Sequence, residues 1–404
     1  MRSTPTPQTE RQPSMQLGVL LCLVAGVIGL VISVLGALTD LSRFFQVYLS
    51  AFVLVTEIAV GCLGLVLLNS LVSGRWLFAT QRIAEAASRT LPLLALLFVP
   101  VILGLSDIYP WAQSEVRETL SANQAGWLDP AFFVIRTYIY FGVWIVLATW
   151  ITNRSYNRDI NGAPGFDEGA RNFAAVGMVI FVITTTLAAF DWTMSLTPEW
   201  FSSIYGWLSL SRSALAAFAF IILLLAFYWG RPPLRRLVNE RVFGDLALLL
   251  LVALLVWMYM NLIQFVLIWA GNLTYNVSWY EPRLAGWIDM TNVLLVLHLA
   301  LALILLLPGL KRIRAAVLLI AVVLLILRVT ELYWVVMPSF EPAGGAIQWW
   351  DGGPMLALAG FWLAATLWLL GRQRLLPVYH QTLGAENSLA EDAEGAEATP
   401  TPAA

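Results

Sequence analysis

The chain has 404 residues, of which 59% are hydrophobic and 12% are charged. A soluble globular domain carries about 25% charged residues, so this composition excludes that class and indicates a protein that crosses a membrane several times. The formal net charge of −2 excludes a basic surface for nucleic acid, and lipid is the expected surrounding of most of the surface.

The hydropathy pattern predicts an all-α polytopic membrane protein with ten transmembrane helices, because a spanning helix needs about 20 apolar residues. The predicted segments are 15–38, 44–72, 90–106, 131–153, 172–196, 202–230, 243–270, 284–307, 312–337 and 353–371. Residues 15–380 therefore form one transmembrane domain. The flanking residues 1–14 and 381–404 have no apolar face to bury, and we expect them to be disordered tails.

Basic side chains are concentrated in alternate loops of this topology. The loop after the sixth segment holds Arg231, Arg235 and Arg236, whereas the loops on the opposite side hold few cations, such as Arg117. Loops that are rich in Lys and Arg stay in the cytoplasm. We therefore expect both termini to be cytoplasmic, which agrees with an even number of helices, and the loop 109–127 to lie outside.

The segment 75–90 precedes the third predicted helix and mixes apolar with charged residues. Phe78 and Ile83 alternate there with Arg82 and Glu85. This pattern predicts either a helix that lies in the cytoplasmic interface or an inward extension of the third span.

Charged side chains inside the predicted spans are candidates for function, because they are costly in a bilayer. They are Glu57, Arg136, Asp191, Arg212, Asp289, His298, Arg328 and Glu331. These residues lie from the midplane outward, and the cytoplasmic half of the spans is almost free of charge. This asymmetry predicts a polar cavity that opens toward the outer side.

We assign two roles to these charges. The proton-exchange candidates are Glu57, Asp191, Asp289, His298 and Glu331. The candidates for tuning them are Arg136, Arg212 and Arg328, because an opposite charge nearby favours an ionised carboxylate. Glu57 is the deepest carboxylate, and Gly61 and Gly64 share its helix face, which indicates that another helix approaches closely there.

Structural alternatives stay open for several of these residues. Arg328 and Glu331 are three residues apart and could form an ion pair within one helix. Arg212 could instead neutralise Asp191 or Asp289. In the seventh segment, the side chains Trp257, Asn261 and Gln264 share one face and are either interhelical hydrogen-bond partners or a quinol site.

The counts of histidine and cysteine restrict the cofactors that this chain could hold. Haem between helices generally needs two histidines, but His298 is alone in the spans and His380 lies in the cytoplasmic end. Cys22 and Cys62 both lie in apolar runs, so we expect no metal, no iron–sulfur cluster and no covalently bound cofactor. Proton transfer, or binding of an apolar ligand with a polar head, remains.

Several short motifs resemble one known family. They are Gly74-Arg75-Trp76 with Arg82, Leu91-Pro92 with Pro100, Tyr109-Pro110-Trp111, Asp191-Trp192-Thr193-Met194-Ser195-Leu196 with Pro198 and Trp200, and Trp269-Ala270-Gly271-Asn272-Leu273. With the ten spans, they resemble the NrfD-like membrane subunits of polysulfide reductases. Within that family they are most similar to the ActF branch, the quinone-binding subunit 2 of alternative complex III. The resemblance covers about residues 15–380.

This resemblance implies two central four-helix bundles, helices 2–5 and 6–9, flanked by helices 1 and 10. It also implies an integral subunit of a quinol:electron-acceptor oxidoreductase, with cytochrome c or a similar acceptor, in a bacterial respiratory or photosynthetic chain. The implied partners are a related NrfD-like membrane subunit and outer iron–sulfur and c-type cytochrome subunits. The implied role is proton translocation, binding of a quinol such as menaquinol, or both, and no activity is expected of the chain alone.

Two other functions remain as alternatives. A secondary transporter would place charged groups at the midplane between structural repeats, often beside broken helices. A membrane scaffold would anchor outer redox subunits without chemistry of its own. The partners that copurify with the chain distinguish these alternatives, because a transporter is expected to be solitary.

Overall fold

The computed structural model describes residues 13–72, 75–161, 168–228, 240–273 and 277–372. The predicted tail 381–404 lies outside the described residues, and so does most of the predicted tail 1–14. Residues 13 and 14 belong to the first helix instead, which begins at Pro13.

In the described part of the chain, ten helices are long and apolar enough to cross a membrane, which confirms the predicted number. They are α1 (Pro13–Thr39), α2 (Leu41–Leu71), α3 (Thr80–Leu103), α4 (Pro130–Asn161), α5 (Glu168–Trp192), α6 (Tyr205–Tyr228), α7 (Glu240–Gly271), α8 (Ile288–Leu306), α9 (Arg314–Val336) and α10 (Gly352–Leu370). A helix satisfies its own backbone polar groups, as the bilayer core requires. The chain therefore has the architecture of a multi-pass membrane protein.

The third span is a broken helix. Its segments are Arg75–Ser88, Leu91–Leu97 and Val99–Leu103. Pro92 and Pro100 lie at the starts of the last two segments, where a proline is tolerated because the first N–H groups of a helix have no intrahelical acceptor. The breaks are turns at residues 89–90 and at Phe98, where the backbone N–H groups of Thr90 and Val101 donate to the carbonyls of Ala87 and Phe98, three residues back.

The same span begins earlier than the hydropathy pattern predicts. It starts at Thr80 and not at residue 90, and all side chains from 80 to 88 are buried. Of the two alternatives for the segment 75–90, the structure therefore shows the inward extension of the third span. Hydropathy predicts a later start because it does not account for the neighbouring helices that shield the polar residues of this segment.

Helices α2 and α6 form the centre of the molecule. α2 packs against α3, α4, α5, α6, α9 and α10, and α6 packs against α2, α3, α5, α7 and α9. Most of the residues in the most apolar window of each helix are buried, 89% in α2 and 78% in α6. Polar side chains on these two helices are thus shielded from lipid by other helices, which is the usual location of functional intramembrane charges.

Helices α1 and α10 pair with each other at the periphery. Glycines allow this contact: a Cβ atom on Gly360 would lie 2.5 Å from the backbone nitrogen of Gly26. Small residues of this kind let two membrane helices approach closely. α10 also contacts α2 and α3, and α1 contacts α2, so both helices attach the pair to the rest of the bundle.

Short helices fill the loop between α3 and α4, at the end that the sequence predicts to be outside. They are Pro110–Ala112, Ser114–Arg117 and Ala122–Trp127. Asp129 then starts α4, because its Oδ1 accepts a hydrogen bond of 3.0 Å from the backbone N–H of Phe132. A carboxylate at a helix start satisfies amide groups that have no partner within the helix. This loop brings Trp127 to the outer end of α5.

Candidate functional site

Five of the predicted charged residues meet near the middle of the bundle, and we call them the central cluster. The central cluster consists of Glu57 from α2, Arg212 from α6, His298 from α8, and Arg328 and Glu331 from α9. Glu57 lies next to the midpoint of α2, and His298 lies next to that of α8. All five side chains are buried.

Glu57 pairs with Arg212 across the contact between α2 and α6. Oε1 of Glu57 accepts from Nε of Arg212 at 3.1 Å and from the hydroxyl of Ser209 at 3.3 Å. Its Oε2 has no hydrogen-bond partner among the described residues. The predicted close approach at Gly61 is confirmed, because a Cβ atom there would lie 2.1 Å from the carbonyl oxygen of Ser213.

The ion pair between Arg328 and Glu331 forms within α9, as one of the two sequence-based alternatives predicts. A third residue, Trp257 of α7, donates a hydrogen bond of 3.0 Å from Nε1 to Oε1 of Glu331. The guanidinium of Arg328 lies 4.4 Å from the centre of the Trp257 ring. Such a cation–π contact stabilises a desolvated arginine. Trp257 thus belongs to the surroundings of the central cluster.

The hydrogen bonds of His298 define its protonation state. Nε2 faces Nη2 of Arg328, and a guanidinium has donors but no acceptor. Nε2 must therefore accept, which places the ring proton on Nδ1, where it is donated to the carbonyl oxygen of Leu294 at 2.6 Å. His298 is a neutral imidazole with both nitrogens engaged. In this arrangement it holds Arg328 and has no free site for a proton.

The four ionisable groups other than His298 form one electrostatic unit. Glu57 interacts with the charges of Arg212, Arg328 and Glu331, and Arg212 also interacts with Glu331. Two guanidinium and two carboxylate groups balance one another when all are ionised. Such balance is needed because isolated charges are costly in a low-dielectric interior. A proton taken up by either carboxylate leaves the cluster with one excess positive charge.

Asp191 lies in a separate group at the predicted outer end, where Arg136 forms two hydrogen bonds with it. Nε and Nη2 of Arg136 donate to Oδ2 and Oδ1 at 3.0 and 2.9 Å. Trp127 donates to Oδ1 at 3.0 Å, and the hydroxyl of Tyr140 donates to Oδ2 at 2.8 Å. We call Asp191 with Arg136, Trp127 and Tyr140 the Asp191 clasp. Its carboxylate has four donors and is fully buried.

The pairing of Arg212 therefore differs from the structural alternative given by the sequence. Arg212 neutralises Glu57, whereas Asp191 is neutralised by Arg136 and Asp289 is exposed in the first turn of α8. The prediction of a partner on α5 or α8 was wrong because depth along the bundle does not specify which helices are neighbours. α6 contacts α2 directly, and this contact selects Glu57.

The remaining two residues of the predicted quinol site have separate surroundings. Asn261 donates a hydrogen bond of 2.9 Å to the backbone carbonyl of Trp257. Gln264 accepts one of 3.2 Å from Ser202 and lies 3.4 Å from the hydroxyl of Tyr280. Burial raises the pKa of Tyr280 to about 12, so its phenol is neutral at physiological pH. Asn261 and Gln264 thus contribute hydrogen bonds in the half of α7 that the sequence predicts to be the outer one.

A second buried polar group lies at the predicted cytoplasmic end, and the sequence interpretation missed it. We call Gln81, Arg82, Glu85, Ser155 and Asp159 the inner cluster. Arg82 forms ion pairs with Glu85 at 2.5 Å and with Asp159, and Gln81 donates to Glu85 at 2.8 Å and to Ser155 at 2.9 Å. These contacts join α3 to α4.

The inner cluster corrects the expected asymmetry of charge. Arg82 and Glu85 are each 1% exposed, so buried charges occur at both ends of the bundle and not mainly in its outer half. The available signal was the spacing of Gln81, Arg82 and Glu85 on one helical turn. The hydropathy pattern does not register this signal, because it starts the third span at residue 90.

Two arginines that lie just outside the predicted spans 44–72 and 284–307 are also buried. Arg43 pairs with Asp351 and Glu341 and so ties α2 to the start of α10. Arg283 donates to the backbone carbonyls of Trp279 and Val335 at 2.5 and 2.6 Å, and its guanidinium lies 3.5 Å from the centre of the Trp279 ring.

Arg283 is buried in this aromatic setting and still carries its charge. Burial lowers the pKa of Arg283 to about 9, which is above physiological pH, so the guanidinium remains cationic. Its contacts with carbonyl oxygens and with an indole ring supply the negative electrostatic potential that a carboxylate would otherwise provide. Arg283 and its partners fix the segment before α8 against the end of α9.

Within the described ranges, no group of three or more His, Cys, Asp or Glu side chains is arranged to hold a metal ion. The site is thus built from ion pairs and hydrogen bonds. Comparison with known proteins yields no family model that matches the chain. It likewise yields no match among curated proteins.

Proposed function

We propose that this chain is an integral subunit of a quinol:electron-acceptor oxidoreductase in the bacterial cytoplasmic membrane, in which it conducts protons. Two observations support the proposal. The motifs listed above resemble the NrfD-like family, and the number of spans is the one that this family implies. The contacts of α2 with α3, α4 and α5, and of α6 with α7 and α9, are compatible with two bundles that meet at α2 and α6.

The observation that carries the proton-conducting role is the central cluster. Carboxylates in the middle of a bilayer are rare and are typical of proton relays. Glu57 combines such a position with an oxygen that accepts no hydrogen bond from the described residues. That oxygen is a site for a proton, whereas both oxygens of Asp191 are fully occupied by donors.

In the proposed complex, quinol oxidation releases two electrons and two protons. The electrons pass to cofactors of partner subunits, namely iron–sulfur and c-type cytochrome subunits on the outer face. Each proton needs an unprotonated acceptor near the quinol, and further acceptors along its path through the membrane. Glu57 accepts one proton at Oε2, and Arg212, with the pair Arg328–Glu331, compensates the change of charge.

One observation favours a secondary transporter as the second candidate. The broken span α3 contacts both α2 and α6, which carry midplane charges, and broken helices beside midplane charges are typical of transporters. The second half of the chain offers no matching feature in the described residues, since α7 runs as one helix over Glu240–Gly271. We therefore rank this function second.

Purification of the tagged chain from native membranes in mild detergent tests the proposal. We expect copurification of subunits that carry haem and iron–sulfur clusters, together with quinol oxidation by the complex. Recovery of a solitary chain contradicts the proposal and favours the transporter.

The role of Glu57 is tested in the same complex after reconstitution into liposomes. In a Glu57→Gln variant, quinol-driven proton release should fall about 10²-fold, the lower range for loss of a group that transfers protons. The matched control is Glu115→Gln, which removes an exposed carboxylate from the loop between α3 and α4 and should retain the wild-type rate. Full proton release by the Glu57→Gln complex would contradict the proton-conducting role and would favour a membrane scaffold without chemistry of its own.

A further inference from the structure

A small cavity adjoins Glu57 on the side of α5. It lies between α2, α4, α5 and α6, and its volume is about 20 Å³. Trp144 and Trp192 form apolar parts of its wall, and Ser209 and Ser213 of α6 contribute polar atoms. A cavity needs at least about 10–15 Å³ to hold a water molecule, so this one has room for at least one water.

Three residues that line this cavity each have a buried oxygen with no hydrogen-bond partner among the described residues. These oxygens are Oγ1 of Thr56, Oε2 of Glu57 and Oγ1 of Thr185. Their residues are 1%, 6% and 5% exposed, respectively. Buried polar atoms in folded proteins almost always have partners, and an unsatisfied one is costly. Three such atoms around one small space indicate a ligand that both donates and accepts hydrogen bonds.

Other buried threonines show that these free hydroxyls are unusual in this protein. The hydroxyl of Thr152 in α4 donates to the carbonyl oxygen of Ala148 at 2.7 Å. The hydroxyl of Thr184, next to Thr185, donates to the carbonyl oxygen of Ile180 at 2.8 Å. A threonine in a membrane helix normally satisfies its hydroxyl in this way. Thr56 and Thr185 do not, although both face the cavity.

We infer that the cavity binds one water molecule, held by Thr56, Glu57 and Thr185, and that this water is the proton-exchange partner of Glu57. The water donates one hydrogen bond to Oε2 of Glu57 and exchanges hydrogen bonds with the two hydroxyls. Buried waters typically make about three hydrogen bonds, which matches the three free oxygens. The water site stands on geometry alone, whereas its role in proton exchange rests on the proposed function.

The proton step balances without any redox change. The water passes one of its protons to the ionised Oε2 of Glu57 and accepts a replacement proton from a hydronium ion formed when quinol is oxidised. The hydronium becomes water, the cavity water ends as water, and the carboxylate ends neutral. His298 does not take part in this step, because both of its nitrogens are engaged with Arg328 and Leu294. The exchange therefore proceeds on the α5 side of the central cluster and not on the α8 side.

The cavity also contacts a polar residue that leads outward. Thr193 lines it, and the hydroxyl of Thr193 accepts a hydrogen bond of 2.9 Å from Tyr205 at the start of α6. Thr193 and Tyr205 lie at the ends of α5 and α6 that the sequence predicts to be outside. The cavity thus borders hydroxyl groups in the direction in which protons from quinol would be released.

The variants Thr56→Val and Thr185→Val test the water site in the purified chain. Valine has the shape of threonine but lacks the hydroxyl, and neither hydroxyl has a hydrogen-bond partner among the described residues. Both variants should therefore fold with unchanged thermal stability. Thr152→Val is the matched control, because its buried hydroxyl bonds to its own helix.

Infrared spectra of the reconstituted chain in H2O and in H2¹⁸O identify bands from bound water. The water in the cavity should give an isotope-sensitive O–H band and should shift the carboxyl band that Glu57→Gln removes. Both signals should change in Thr56→Val and Thr185→Val and persist in Thr152→Val. Identical spectra for all four proteins, or a high-resolution map with no water density in the cavity, would overturn the water site.

The role in proton exchange is tested separately in the intact complex. Loss of one hydrogen bond that positions the water should slow quinol-driven proton release about tenfold in Thr185→Val, with an unchanged rate in Thr152→Val. If the infrared signals change but proton release does not, the water site stands and its role in exchange is wrong. A chain that purifies without redox partners refutes the proposed function, and the infrared result still decides the water site.

Discussion

The central cluster and the Asp191 clasp both pair an arginine with a carboxylate across two helices. The two carboxylates differ in how many of their oxygens accept hydrogen bonds. Asp191 receives four hydrogen bonds, two on each oxygen, from Arg136, Trp127 and Tyr140. Glu57 receives its hydrogen bonds on one oxygen, while the other lines a cavity. The first arrangement places donors on both oxygens, and the second leaves one oxygen free to hold a proton.

This difference separates candidates that the sequence places in one class. A carboxylate surrounded by donors is stabilised in its ionised form, and protonation would oppose a donor with a new O–H group. A carboxylate with a free oxygen meets no such conflict. Burial and charge alone therefore do not identify a proton-exchange residue; the number of donors that face it does.

The largest expected effect is on the Asp191 clasp. Asparagine at position 191 can accept hydrogen bonds at one atom only, and its NH2 group would face two donors while Arg136 lost its counter-charge. We expect Asp191→Asn to destabilise the protein by about 3–5 kcal/mol, the cost of breaking a buried ion pair. Thermal unfolding in detergent measures this, with the exposed Asp289→Asn as control. Equal stability of the two variants would contradict the structural role of the clasp.

A smaller effect is expected at the acceptor of Arg328 in the central cluster. His298→Leu leaves Nη2 of Arg328 without its acceptor and should cost about 1–3 kcal/mol. His298→Gln supplies an amide oxygen as a new acceptor and should cost less. The order of the two unfolding midpoints checks the assignment, and a leucine variant as stable as the glutamine variant would argue against it.

The neutral state of His298 has its own spectroscopic signature. ¹⁵N spectra of histidine-labelled protein should show the Nδ1–H tautomer for His298, unchanged over about pH 5–8, where an ordinary histidine titrates. His380→Ala removes the other histidine and leaves one set of signals to assign. A titration of His298 in this range would restore it as a proton-exchange residue.

A still smaller change in stability is expected for Glu57→Gln, in direct contrast with Asp191→Asn. The glutamine oxygen can retain the hydrogen bonds from Arg212 and Ser209, and its NH2 group can occupy the free side toward the cavity. We expect a cost of about 1–2 kcal/mol, because Arg212 loses its counter-charge but keeps its hydrogen-bond acceptor. The comparison of both variants by thermal unfolding sharpens the distinction, and a loss as large as that of Asp191→Asn would remove it.

The smallest effect concerns Asp129, a half-buried carboxylate just before α4. The backbone N–H of Phe132, and then Arg117, hold the pKa of Asp129 below its ordinary value. A lowered carboxyl pKa stabilises the folded state above the unfolded pKa, and this contribution is lost as the pH falls below about 4. A slight difference in midpoint between wild type and Asp129→Asn at about pH 6 should vanish near about pH 3. A difference that persists in acid would assign the effect to shape and not to charge.

The number of spans and the pair Arg328–Glu331 could be predicted because they depend on local sequence. A run of apolar residues long enough to cross the bilayer is a property of the run itself. Residues three apart on a helix are neighbours whatever surrounds the helix, and the ion pair is observed. The close approach at Gly61 follows from the missing side chain and is also observed.

Tertiary structure alone decided which charges meet. Hydropathy gives the depth of a residue but not its neighbours, so the pairing of Arg212 with Glu57, and of Arg136 with Asp191, required the packing of α2 on α6 and of α4 on α5. Burial of Arg82 and Glu85 likewise depends on helices that cover a polar segment. The number of hydrogen-bond donors that face a carboxylate depends on its full surroundings. This number distinguishes Glu57 from Asp191.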